Sequence, residues 1–220
     1  MNFDIILLYN LPALFWGLVI TLKIAFLSFI LAIIIAHVVG ILRALNIPKV
    51  LDLFFRAYVE TFRGVPLLIL LFFIYYGLPS IGIVMDNTTA GVLGLSLNGG
   101  AYISEIVRAS LLSIPKGQWD ACSSLGMNKV QSLVYVIIPQ TIRISMPSLM
   151  NSFSTIIKES SLVSVIAITE LTRVGQLIYT KTASPFEVYI VIALVYLSVI
   201  FTVSLLSNLI EKKLNYAYNR

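Results

Sequence analysis

The sequence holds one cysteine, Cys122, and one histidine, His37, in 220 residues. A lone cysteine excludes an internal disulfide framework and any cysteine-rich metal site. The lone histidine lies among Ile33, Ile34, Ile35, Val38 and Val39, with no acidic or serine partner at helical spacing. No nucleophile and base therefore come together for catalysis. His37 reads as a helix-packing residue, with a proton relay as the alternative. The phosphate-binding pattern G-x-x-x-x-G-K-[ST] is also missing, so any ATP chemistry must belong to another chain. Charge is scarce, at 11% of residues, where a soluble domain carries about 25%. The stretch from Met1 to Pro12 contains Asp4 and no Lys or Arg. A cleavable signal peptide needs a positive start, so this one reads as a mature terminus feeding a span.

What is present is apolar. Hydrophobic residues make up 59% of the chain, and the mean hydropathy is +0.96. Lipid is the solvent that suits such a surface. Five hydrophobic runs predict spans at about 15–42, 53–78, 88–112, 144–168 and 188–210. The third is interrupted by Asn98, Gly99 and Gly100, and the fourth is the most polar. The runs exceed the ~10-residue alternation of barrel strands, which leaves helices as the way to satisfy a backbone in hydrocarbon. Residues 1–220 read as one transmembrane domain, with little chain left for a soluble one.

The basic residues support that count. Arg43, Lys49, Arg56, Arg63, Arg108, Lys116, Lys129, Arg143, Lys212, Lys213 and Arg220 fall on one side if the chain alternates. The other side holds Arg173 and Lys181. The positive-inside rule then puts the N-terminus outside and the C-terminus in the cytoplasm. The net charge of +5 is explained by topology, so nucleic acid is not an expected partner.

The longest inside loop, 115–139, reads as two short helices. Pro115 opens the first, Gly126 separates them, and Asn128 caps the second. Ala121, Cys122, Ser123 and Ser124 are small enough for one face to approach a partner closely. The spacing of Asp120-Ala121-Cys122, Gly126 and Val136-Ile137-Ile138-Pro139 resembles the Glu-Ala-Ala loop of ABC-importer permeases. It departs by Asp for Glu, Cys for Ala, Val for Ile and Ile for Leu. Glu60 to Pro66, Ala101 to Ala109, Ser124 to Met127, Ile138 to Gln140 and Lys158 to Ser161 resemble the polar amino-acid permeases of that family. The likeness runs over about residues 12–213.

The resemblance implies an all-α integral membrane protein of type I importer form, about five transmembrane helices with a cytoplasmic coupling loop. Asp120, Ala121, Cys122, Leu125 and Gly126 would then dock on a separate ATPase. It also implies the partners: an ATPase dimer holding ATP-Mg, a second identical or related permease, and an extracytoplasmic amino-acid-binding protein. This chain itself would bind no cofactor.

Ionisable groups inside spans are costly and are functional candidates by default. Glu60 with Arg63, and Glu105 with Arg108, are i,i+3 neighbours that can pair and staple helices or support an inner gate. The fourth span is dense in Ser and Thr, which hydrogen bonding between helices accounts for. A zwitterion needs a cation and an acceptor, which Lys158 and Glu159 supply, with a Lys–Glu contact to another helix or subunit as the alternative reading of Lys158. Asn98 and Ser152 add hydrogen bonds, and unwound backbone at Gly64 to Leu67 faces the ligand. The resemblance implies the same regions, Leu67 and Ser160 among them. Cation-transporting relatives are expected to carry an acid near position 152; Ser152 points to a neutral substrate such as glutamine or cystine. The competing reading is an ion-coupled secondary carrier acting as an oligomer, although such folds usually have internal repeats and about ten or more spans.

Overall fold

The computed structural model describes residues 3–45 and 47–216, and all regular structure among them is helical. Arg220 and the side chain of Asp4 lie outside the described residues. The elements are α1 (Phe3–Ala44), α2 (Lys49–Gly64), α3 (Leu67–Phe72), α4 (Asn87–Leu112), α5 (Lys116–Ser124), α6 (Lys129–Ser132), α7 (Ile138–Glu159), α8 (Leu171–Thr182) and α9 (Pro185–Tyr216).

Helix α4 is the centre of the bundle. Lipid gives no hydrophobic drive for helices to associate, so close packing must hold them. Helix α1 supplies Ala25, Ser28, Ala32, Ala36 and Gly40 at spacings of three and four, one small-residue stripe. Ala25, Ser28, Ala32 and Ala36 are fully buried. A Cβ on Gly40 would stand 2.5 Å from the Ser104 carbonyl oxygen, so the two backbones are nearly in contact. The opposite faces carry the lipid surface: Trp16, Phe26 and Ile34 on α1, and Leu197, Phe201 and Leu209 on α9.

Three stretches are long and apolar enough to cross a membrane: Tyr9–Ala44, Lys129–Ile166 and Pro185–Lys213. The second expected run is not one straight span. Lys49–Gly64 and Leu67–Ile81 meet at a bend of 106° and count together as a fourth. Pro66 causes the break: it lacks an amide hydrogen and drives Val65 into extended backbone, φ −92°, ψ 131°. The unwound backbone expected there is present.

Helix α4, by contrast, runs unbroken through Asn98, Gly99 and Gly100. The Asn98 side chain donates to the Phe62 carbonyl at 2.7 Å. A Cβ on Gly100 would stand 3.0 Å from Ile35 and from the Tyr58 hydroxyl. These residues admit neighbours and do not break the helix. The fourth run changes character at Glu159, where α7 tightens into a 3-10 segment, Ser160–Ile166. Its hydroxyls do not bridge helices as expected. Ser152, Thr155, Ser160, Ser161 and Ser164 all donate to carbonyls of their own preceding turn.

Candidate functional site

A groove of about 730 Å³ lies between α4 and α7. Helix α4 lines it with Asn98, Tyr102, Glu105 and Ala109, and α7 with Ser148, Ser152, Thr155 and Glu159. Both sets follow the same spacing of four, three and four residues, so each is one face of a helix. Arg63, from the end of α2, joins them.

The charges in this groove are unevenly matched. Glu105 is held by Arg43 and by Arg108, the latter at 3.0 Å. The Arg43 side chain is only 9% exposed, so the Glu105 carboxylate compensates the loss of water around its charge. The expected Glu105–Arg108 pair thus forms as part of a triad. The expected Glu60–Arg63 pair does not form. Glu60 is exposed, and the Arg63 guanidinium sits over the Tyr102 ring, 5.2 Å from its centroid. The Tyr102 hydroxyl donates to the Arg63 carbonyl at 3.3 Å, tying α2 to α4. Among the described residues, Glu159 makes no ion pair within 4.0 Å.

The residues expected to bind substrate are only partly brought together. Asn98, Ser152 and Glu159 line the groove, whereas Leu67, Lys158 and Ser160 do not. Lys158 is one step round α7 from Glu159 and is exposed. Ser160 is fully buried and donates to the Ile157 carbonyl at 2.8 Å. Leu67 is part of the apolar cluster of Leu70, Leu71, Ile74 and Leu95. The helical period turns Lys158 out of the groove and Ser160 into packing, and the bend at Pro66 does the same to Leu67.

The 115–139 loop is the second site. Helix α5 ends as a Schellman motif: the Met127 amide reaches the Cys122 carbonyl at 3.1 Å, and the Gly126 amide reaches Ser123 at 3.0 Å. Gly126 has φ +74°, which glycine adopts without strain. Asn128 and Gln131 form a reciprocal capping box, each bond 2.9 Å. Asp120, Ala121, Leu125 and Gly126 are exposed, and Leu125 is 80% so. Cys122 is 3% exposed. The expected small outward face therefore excludes Cys122, because the helical period turns it toward the chain's own interior. His37 is half-buried, with Nδ1 2.9 Å from the Ile33 carbonyl of its own helix.

Helix α8 and the acid that starts it are not among the sequence-based expectations. Glu170 is fully buried. Its carboxylate accepts from the amides of Thr172 (2.9 Å) and Arg173 (2.8 Å) and from the Tyr196 hydroxyl (3.0 Å). The Thr21 hydroxyl lies 3.3 Å away and accepts the Leu171 amide at 3.1 Å. An acid just before Leu171, with Val174 and Ile178 following at helical spacing, was the available signal.

A groove between two helices that carries several polar side chains, in a bundle of membrane-length helices with a two-helix loop, suits a membrane transport subunit. The family of binding-protein-dependent transport system inner membrane components matches residues 36–216, and the chain belongs to it. The L-cystine transport system permease protein TcyB of Bacillus subtilis is 40% identical over 205 residues, covering 93% of this chain and 87% of the relative. The probable glutamine ABC transporter permease protein GlnP of the same organism is 36% identical, covering 92% and 94%. The crystal structure of an amino acid ABC transporter with histidines matches with a TM-score of 0.89 at 38% identity, covering 97% and 99%. The MetNI methionine ABC transporter in inward-facing form shares the fold, with a TM-score of 0.82 at 20% identity. The chain is thus an all-α, multi-pass inner-membrane permease of the type I importer form.

Proposed function

We propose that the chain imports a polar amino acid, glutamine- or cystine-like, as one half of a paired membrane domain driven by separate ATPase subunits. The groove between α4 and α7 carries this reading. It holds a cation, Arg63, an unpaired carboxylate, Glu159, and neutral hydrogen-bonding groups at Asn98, Ser152 and Thr155. A zwitterion needs all three kinds. No acid stands at position 152 to favour a cationic side chain, and the cystine and glutamine permeases among the relatives point the same way.

In this reading α4 is the fifth crossing. Its buried Gly, Ser and Asn residues reflect close contact with neighbouring helices. Lys158, exposed beside the groove, faces the second permease and reaches the ligand's carboxylate across that seam. The N-terminus is outside, and the α5 end is cytoplasmic, where Asp120, Ala121, Leu125 and Gly126 meet the ATPase that holds ATP-Mg. A binding protein delivers the amino acid from outside.

Uptake into proteoliposomes containing the ATPase and the binding protein is the test. Ser152→Glu is expected to shift competition from glutamine and cystine toward arginine and lysine, and Lys158→Ala to lower the uptake rate. Unchanged uptake and selectivity in both variants would remove the site assignment. Uptake that persisted without the ATPase and collapsed with the ion gradient would indicate the ion-coupled carrier instead.

A further inference from the structure

Pro139 has no amide hydrogen, and its ring crowds the carbonyl four residues back. The backbone responds with one wide turn, Leu133–Ile137, closed by the Ile138 amide on the Leu133 carbonyl. The same solution recurs before Pro79, where the Leu78 amide reaches the Phe73 carbonyl. Wide turns of this kind are local weak points that often accompany function. This one separates α7 from α6 and hence from the coupling loop.

Gln140 spans the weak point. Its Nε2 donates to the Val136 carbonyl at 3.1 Å and to the Gln118 Oε1 on α5 at 3.1 Å. A side-chain amide has two hydrogens, so both bonds can exist together. Next to it, Trp119, Leu133 and Val136 pack on Ile137, Leu111 and Ile114. An apolar contact of this sort is non-directional and lets α5 pivot.

We infer that Gln140 is a positioning residue that, clasped to Gln118, transmits displacement of α5 to α7 and so to the groove face bearing Ser152 and Glu159. From Gln140 to Ser152 the link is a single helix, which stays α-helical through Pro147, about 18 Å at 1.5 Å per residue. Trp119 supplies the pivot and the clasp supplies the direction. Without the clasp, α5 turns about Trp119 while the wide turn absorbs the motion. The inference rests on the reading of α5 as the ATPase-docking element.

The experiment measures ATP hydrolysis and uptake together in the reconstituted complex. Gln118→Met and Gln140→Met remove the bond at nearly constant side-chain length. Each is expected to leave hydrolysis within twofold and to lower amino acid moved per ATP by about fivefold, the scale of one hydrogen bond. The double variant is expected to be no worse than either single one, because one interaction is lost. Gln118→Glu keeps an acceptor for Gln140 and is expected to retain the original ratio. An unchanged ratio, additive losses, or a Gln118→Glu variant as defective as Gln118→Met would overturn the clasp. Gln118 is exposed, so its two variants decide the matter even where Gln140→Met fails to assemble. A wild-type complex lacking the ATPase would overturn the docking reading as well; altered ratios cannot fail in that way alone.

Discussion

Glu170 shows how much one side chain can hold in a membrane protein. It caps α8 and receives a hydroxyl from α9, while Thr21 of α1 sits within reach. Glu170→Ala would strand the part-buried amides of Thr172 and Arg173 and the Tyr196 hydroxyl. The expected loss is about 2–4 kcal/mol, combining a lost cap with unsatisfied donors. Thermal unfolding in detergent should show it as a lower Tm, with α8 amides exchanging faster than those of α4. The cap formed by Glu170 is a local feature, but its ties to Tyr196 and Thr21 were not legible beforehand because those partners lie 26 and 149 residues away in the chain. The same is true of Arg43, whose pairing with Glu105 turns an expected helical pair into a triad. Lys158 is the reverse case: its charge was plain in the sequence, but the face it occupies was not.

At the scale of elements, small residues decide which helices touch. The stripe from Ala25 to Gly40 permits α1 to lie against α4 along most of its length. Gly40→Ala would press a methyl group on the Ser104 carbonyl, a backbone atom that cannot rotate away. The expected cost is about 1–3 kcal/mol, the range for overpacking, measured as reduced thermal stability with the helix content unchanged by circular dichroism. Four of the five expected runs correspond to helical stretches of similar extent, because length and apolarity are local properties. The breaks were read less well. Asn98, Gly99 and Gly100 pass without interruption, whereas Pro66 bends the chain by 106°. Proline removes a backbone donor wherever it stands, while glycine breaks a helix only if nothing packs against it.

At the scale of the whole molecule, the proposed docking surface is the α5 end. Leu125 is exposed and outside the apolar clusters of its own chain. Leu125→Asp should therefore change the stability of the isolated permease by less than about 0.5 kcal/mol. Copurification of the ATPase should nevertheless be lost. Retained ATPase at wild-type stoichiometry would remove Leu125 from the contact.

Composition and hydrophobic run length sufficed to make this chain a helical membrane protein, and the motif spacing of the 115–139 loop sufficed to place it among importer permeases. Both depend on residues near one another along the chain. Which polar side chains share a groove, which cation is paired and which helix lies at the centre of the bundle emerged only on folding. Those outcomes depend on the rotation and crossing of helices, and distant residues set them jointly.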